Sequence, residues 1–481
     1  MIDLATLTIK KAHTHLLNKD FSVHELCHAY LDEITKRDKT VHAYLEIYPD
    51  LDEQIKKAQA LIDAGTKNIL AGIPLAMKDN ILIKGKRASA SSKILENYTA
   101  TYDSTVALRL KEAGVVFIGR TNMDEFAMGS STETSAYGVT RNPLDESRVP
   151  GGSSGGAAAA VAMNGALAAF GSDTAGSVRQ PASFCGCVGL KTTYGSVSRH
   201  GLMAMGSSLD QIGPITKTVA DAEILFNAVK GQDSFDSTTI PDSTYAMVRD
   251  KKTKSKKLVV GVPRHLIEMD GLDPSVRTNF EESIARLVSL GYEIKDIELP
   301  HVGYSLPTYY IIMPGEVSSN LARFDGVKFG FHKEGETLLE DYKKTRGVGF
   351  GREVRRRILV GTYVLSTGYY DAFYNKAQNA RKLITSDFTE AFKKVDVIIT
   401  PTTPTPAFKI GEKIEDPVQM YLADIFTVPA NIASIPALTV PSGFADVDGK
   451  KLPLGLQFMA DQCCEDTLFA VGKDFLNERD A

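Results

Sequence analysis

The chain has 481 residues, 43% of them hydrophobic and 24% charged, proportions that exclude a disordered or fibrous polymer and allow a large buried core. Its 55 Lys and Arg against 59 Asp and Glu leave a net charge of −4, so it lacks the basic excess that dominates nucleic-acid affinity; such binding needs a local patch or a partner. At roughly 150 residues per domain, length alone allows about three domains.

In chain order, the first eleven residues carry Asp3 and no apolar core of signal-peptide length, so a secretory leader is not expected. Helical patterns with charged faces (Lys10, Lys11, Asp32, Glu33, Lys36, Glu53) run to about Gly65 and read as a docking layer. Residues 73–77 form a short apolar strand ending on Lys78, and residues 106–113 and 115–119 read as a helix followed by a strand. The longest apolar stretch, 157–170, is interrupted by Asn164 and Gly165 and falls short of the ~20 residues of a membrane span. Residues 234–255, rich in Asp, Ser, Thr and Lys, read as a surface connection, with a strand at 258–262 after them. Asp273 as N-cap, Pro274 at the first helical position and Gly291 as the stop predict a helix over 274–290, with a strand at 293–299. Residues 304–388 read as helices without a clear strand. The helix–strand rhythm resumes at 389–394 and 395–400, with further strands at 437–440 and 454–459. Short β-branched runs after helices predict an α/β architecture with a largely parallel or mixed sheet. Five cysteines (Cys27, Cys185, Cys187, Cys463, Cys464) are too few and odd in number for a disulfide framework and fit a reducing compartment, the cytoplasm. No second Cys/His pair accompanies Cys185 and Cys187, so no metal site is expected.

The most unusual stretch is Gly151-Gly152-Ser153-Ser154-Gly155-Gly156, followed by residues 157–170 and then Asp173-Thr174-Ala175-Gly176-Ser177-Val178-Arg179-Gln180-Pro181. A glycine–serine run is ordinarily a flexible linker. Here small, strong helix formers follow at once, which puts the serines at the N-terminus of a buried helix. A phosphate-binding loop needs Lys and Ser/Thr after its last glycine, where this chain has Ala157-Ala158. The G-x-S-x-G elbow needs a strand directly before it, and residues 142–150 are polar and proline-bounded instead. A serine nucleophile needs a base, and of nine histidines only His200 lies near this region. A lysine can serve if kept neutral. Burial of Lys78, with the positive end of the helix starting near Ser153, would disfavour its ammonium form. The residues alone fit a surface lysine at a strand end equally well.

This set of residues and its spacing resembles the amidase signature family of Ser-cisSer-Lys hydrolases. The resemblance implies a mixed central sheet covered by helices on both faces, with a helical insertion. It also implies Ser177 as nucleophile, Ser153 as a bridging serine in a cis peptide with Gly152, Lys78 as base, and an oxyanion hole of backbone N–H groups from Thr174, Ala175, Gly176 and Ser177. Two departures stand out: Ala175, where the family has glycine and where alanine disfavours positive φ, and Lys191-Thr192-Thr193 in place of Lys-Pro-Thr, expected to affect loop stiffness alone. Finer runs, among them Met123-Asp124-Glu125-Phe126-Ala127-Met128-Gly129-Ser130-Ser131-Thr132-Glu133, Glu316-Val317-Ser318-Ser319-Asn320 and Gly349-Phe350-Gly351-Arg352-Glu353-Val354-Arg355-Arg356-Arg357, are similar to the tRNA-dependent amidotransferase members of that family.

That closer resemblance implies glutamine hydrolysis, with Arg357 on the substrate carboxylate, Asp424 on its amine, and Tyr309, Gly129 and Ser130 as further contacts; the adjacent Tyr310 competes with Tyr309 for its place. It implies two partner subunits, termed B and C, with ATP and Mg²⁺ on the first of them and Glu-tRNA(Gln) held mainly by a partner, and no cofactor or metal in this chain. Two other readings remain: a stand-alone amidase acting on another small amide, and a non-catalytic scaffold, against which retention of all three triad residues speaks. Convergence of residues from 78 to 424 on one site predicts a single domain over 1–481. Its parts are an N-terminal helical layer (1–65), a signature core (66–233), a second part of the core (256–300 and 389–481) and a helical insertion (301–388).

Overall fold

Eleven strands join in one sheet in the computed structural model, which describes residues 2–252, 258–269 and 271–478. They are β1 (Tyr44–Ile47), β2 (Pro74–Lys78), β3 (Val116–Thr121), β4 (Ala168–Asp173), β5 (Val188–Lys191), β6 (Gln211–Thr216), β7 (Val259–Val262), β8 (Glu293–Asp296), β9 (Val397–Pro401), β10 (Ala437–Val447) and β11 (Lys450–Ala460). Across the sheet they run β1-β3-β2-β4-β6-β5-β10-β11-β9-β7-β8. Pairing is parallel where β2 meets β3 and β4 and where β7 meets β8 and β9, and antiparallel elsewhere. The sheet is therefore mixed, one of the two forms the sequence predicts.

Helices α1 (Ile9–Asn18), α2 (Val23–Val41), α3 (Leu51–Asp63), α4 (Thr105–Glu112), α5 (Gly155–Ala162), α6 (Arg179–Phe184), α7 (Val219–Val229), α8 (Asp242–Lys252) and α9 (Pro274–Ser289) precede or interleave with its first eight strands. The helix predicted over 274–290 closes one residue early, capped by Asp273 accepting the Ser275 N–H at 2.8 Å. Between β8 and β9 lie α10 (Ser305–Asn320), α11 (Leu338–Gly349), α12 (Arg352–Val364) and α13 (Lys376–Phe392), followed after β9 by α14 (Pro417–Leu422), α15 (Val428–Ile432) and, last, α16 (Glu465–Leu476). Ile312, Met313, Val317, Val354, Ile384 and Phe388 of this helical layer form an apolar cluster with Ile398, Ala437 and Met459 of the sheet.

Several elements differ from the sequence reading. The connection predicted over 234–255 contains α8, and its residues 253–255 lie outside the described residues. The strand predicted over 293–299 stops at Asp296 and is not buried on both faces: β8 is an edge strand with Glu293, Lys295 and Asp296 exposed, and those charges shield its unpaired side. The sequence reading does not include β1, β4, β5 or β6. β4 has no β-branched residue and in β6 Gly213 and Pro214 interrupt the run that marks a strand; close approach explains the glycines. A Cβ on Gly171 would sit 2.6 Å from Ser154 Oγ, and one on Gly213 would sit 2.0 Å from the Leu190 carbonyl. The 157–170 stretch divides between α5 and β4 at Asn164, whose φ of 60° ends the helix in the left-handed region.

Candidate active site

β2 delivers Lys78 into the molecule, where its side chain is fully buried. Its Nζ lies 2.7 Å from Ser153 Oγ, 2.8 Å from Ser154 Oγ and 3.2 Å from the Ser172 carbonyl. Burial pushes its pKa down to about 7, although Asp124, Asp173 and Asp210 pull the other way. The surface-lysine alternative is thereby removed. The Gly152–Ser153 peptide bond is cis. Gly152 donates its N–H to Gln180 Oε1 at 2.8 Å, and any Cβ there would lie 2.0 Å from Asp124 Oδ2. Asp124 also accepts the Thr132 N–H at 2.9 Å and the Thr134 hydroxyl at 2.9 Å, so one buried carboxylate shapes both the 129–134 loop and the serine loop beside it.

Ser177 follows β4 on the loop leading to α6, almost fully buried, its carbonyl accepting the Ser154 N–H at 3.1 Å. Asp173 organises this loop. It accepts the N–H groups of Gly176 (3.0 Å) and Val178 (3.2 Å) and a two-pronged contact from Arg179 (3.0 and 2.9 Å). Burial would raise the Asp173 pKa, but Arg179 and Asn431 hold it down at about 2. Arg179 spends its remaining N–H groups on the Thr427 carbonyl, Gln457 and Asn431. Arg179→Met is expected to cost about 3–5 kcal/mol in chemical denaturation, because it strands Asp173 as an unpaired buried charge.

The expected oxyanion set needs one correction. The Gly176 N–H is already committed to Asp173, leaving Thr174, Ala175 and Ser177 as the nominated donors. The concern over Ala175 also resolves. The positive φ in this loop belongs to Gly176, at 140°, where a Cβ would meet Thr427 Oγ1 at 2.2 Å, whereas Ala175 is not among the positive-φ residues. Ala175→Gly should therefore change the hydrolysis rate by less than about 3-fold, while Gly176→Ala should lower it at least ~100-fold through displacement of the loop, as steady-state assays would show. At the other departure, Thr192 does more than loosen a loop: its buried hydroxyl donates to Gln211 Oε1 at 3.1 Å.

A cavity of about 190 Å³ lies beside this centre, lined by Glu125, Gly129, Ser130, Glu353, Arg357 and Tyr421 among others. Lys78, Ser153 and Ser177 do not line it. They are tied to it through Gln180, whose Nε2 donates to the Ser130 carbonyl at 2.8 Å while its Oε1 holds Gly152. Arg357 is buried, with Nε donating to Glu353 Oε1 at 2.8 Å and its guanidinium against the rings of Tyr310 (5.5 Å) and Tyr421 (5.4 Å). Arg355 and Arg356 are the more exposed neighbours. Asp424 accepts the Ser130 hydroxyl at 2.7 Å, and burial pushes its pKa up to about 7. Tyr309 is buried and does not line the cavity; of the adjacent pair, Tyr310 touches Arg357.

Sequence reasoning missed Ser154, Asp124, Glu353 and Tyr421. Ser154 was visible only as a second serine beside Ser153. Glu353 lies four residues before Arg357, a helical spacing that could have paired them.

Among the described residues no group of His, Cys, Asp and Glu is placed to hold a metal, all five cysteines are free, and no helix is long and apolar enough to cross a membrane.

A buried lysine on a pair of serine hydroxyls at the end of an interior strand of a mixed sheet invites comparison with known hydrolases, and the Amidase family model matches residues 25–469. The chain belongs to the amidase family of enzymes. It is 50% identical over 476 residues to the A subunit of glutamyl-tRNA(Gln) amidotransferase from Microcystis aeruginosa (96% of each chain), and 50% identical over 482 residues to the protein of that name from Desulfatibacillum aliphaticivorans (99% and 98%). The crystal structure of the corresponding Thermotoga maritima protein, again the A subunit of glutamyl-tRNA(Gln) amidotransferase, is 42% identical with a TM-score of 0.78, covering 98% of this chain and 95% of that one. A peptide amidase bound to the inhibitor chymostatin is similar at 26% identity and a TM-score of 0.80, covering 100% and 99%.

Proposed function

We propose that the chain is the glutaminase subunit of a tRNA-dependent amidotransferase. Ser177 attacks the side-chain carboxamide of glutamine, Ser153 relays its proton to Lys78, and ammonia leaves as a glutamyl ester forms; water then frees glutamate. The observation that carries this reading is the buried Lys78 amine, held 2.7 Å from Ser153 Oγ with a pKa near 7, a base able to accept a proton at neutral pH. Backbone N–H groups of Thr174, Ala175 and Ser177 would stabilise the oxyanion. At the neighbouring cavity Arg357 would take the substrate α-carboxylate, and Asp424, which lies behind the lining and holds the Ser130 hydroxyl, the α-ammonium, with Gly129, Ser130 and Tyr309 or Tyr310 as further contacts.

The names of the relatives support an assembly. Two partners, the B and C subunits, would complete a heterotrimer in the cytoplasm. There the first of these partners would use ATP and Mg²⁺, Glu-tRNA(Gln) would be held mainly by a partner, and ammonia from this chain would convert it to Gln-tRNA(Gln). A net charge of −4 suits a subunit whose tRNA contacts lie elsewhere. The full chain, purified alone and with its co-expressed partners, should release ammonia from glutamine, faster in the complex. A stand-alone amidase would hydrolyse a simple neutral amide at full rate without partners and with no need of Arg357 or Asp424. That result would replace the first reading with the second.

A further inference from the structure

Glu125 belongs to none of the groups assigned above, yet it is 2% exposed and lines the same cavity as Arg357. Its two carboxylate oxygens face separate parts of the molecule. Oε1 accepts the Ser92 hydroxyl at 2.5 Å, and Ser92 Oγ also lies 3.2 Å from the Gly349 carbonyl. Oε2 accepts the N–H of Gly351 at 2.8 Å. Gly351 is the N-cap of α12, the helix that carries Glu353 and Arg357 on its next two turns. The contact leaves no room to spare: a Cβ on Gly351 would sit 2.3 Å from Oε2, although its φ of −70° suits any residue.

Backbone and rings extend the same link. The Glu125 N–H donates to Thr134 Oγ1 at 3.0 Å, and the next residue, Phe126, meets Phe350 edge-on with centroids 5.7 Å apart. From Phe126 the chain leads directly to Gly129 and Ser130, and the Ser130 hydroxyl holds Asp424. One side chain thus ties the helix bearing Arg357 to the loop supporting Asp424. Charged groups facing it come from Arg355 and Lys93.

We propose that Glu125 is a positioning residue for amino-acid substrates: it clamps α12 to the 125–130 loop and so fixes Arg357 relative to Asp424. This rests on the reading of the cavity as the site of the glutamine α-groups. The clamp works through hydrogen bonds to neutral donors. Glutamine in its place can accept from Gly351 with its oxygen and donate to Ser92 Oγ with its amide, while Ser92 turns its own proton to the Gly349 carbonyl. Burial also pushes the Glu125 pKa up to about 7, so both the neutral and the ionised side chain are populated near that pH.

The test is steady-state kinetics on the full chain in its assembled form, with glutamine and with butyramide, a primary amide lacking both α-groups. Glu125→Ala should raise KM for glutamine at least ~10-fold with kcat changed less than about 3-fold, leave butyramide turnover within about 3-fold, and Glu125→Gln should restore the glutamine KM. Gly351→Ala, which presses on the clamp from its other side, should raise the same KM but add nothing in the Glu125→Ala background. It carries the test if Glu125→Ala does not fold. Equal losses on both substrates, an unchanged glutamine KM, or a Glu125→Gln variant as impaired as Glu125→Ala would overturn the proposal. If wild type shows no preference for glutamine and Arg357→Lys affects both amides alike, the reading of the cavity itself fails, and the clamp with it.

Discussion

Ser177→Ala and Lys78→Ala are each expected to lower glutamine hydrolysis by on the order of 10³–10⁶-fold, since residues that act as one proton-transfer unit lose nearly the whole effect when either is removed. The Ser177 variant should keep wild-type stability within about 1 kcal/mol, because only one hydroxyl is lost from a residue whose backbone makes the structural contact with Ser154. The lysine also sets the pH profile. It must be neutral to accept a proton, and burial has brought its pKa from 10.5 to about 7. Activity should therefore rise with pH through about 7 and level off above it. A rate still climbing toward pH 10 would mean that Lys78 keeps its ordinary pKa and is not the base. Residual activity indifferent to both substitutions would remove the triad from the mechanism.

Arg357→Lys is expected to lower kcat/KM for glutamine by about 100-fold while changing that for butyramide less than about 3-fold, because two parallel N–H contacts to a carboxylate are worth roughly 2–3 kcal/mol beyond a point charge. The structure makes this substitution more severe than charge conservation suggests. Glu353 holds the guanidinium by Nε, one terminal nitrogen lies 3.8 Å from Met313 Sδ, and the planar group, which lines the cavity, lies against Tyr310 and Tyr421. Lysine has neither the Nε to be held nor the plane to be packed. Equal losses on glutamine and butyramide would remove Arg357 from substrate recognition.

How much of this was legible in advance depended on whether the signal was local. Asp273, Pro274 and Gly291 announced α9 because caps and stops are written within a few residues. Lys78 and Ser153 could be picked out because an apolar strand ended on one and a run of small helix formers followed the other. The strands β4 and β6 were hidden because their glycines answer to neighbours brought up by the fold, such as the Leu190 carbonyl beside Gly213. Partition of the backbone donors was equally invisible: only the placement of Asp173 reveals that Gly176 N–H is spent on it and that Ala175 costs nothing. Glu353 stands on an arginine-rich helix, and only the fold, which buries Arg357, shows that the pair is an internal one.

In the proposed reaction glutamine acylates Ser177. Acid-quenching the complex during turnover of glutamine and mapping its peptides by mass spectrometry would reveal that intermediate. A glutamyl ester on the peptide containing Ser177, absent from Ser177→Ala, is the predicted result. Ammonia release at full rate with the ester on another residue, or with an unmodified Ser177 peptide under conditions that trap acyl-enzymes of known serine hydrolases, would contradict it.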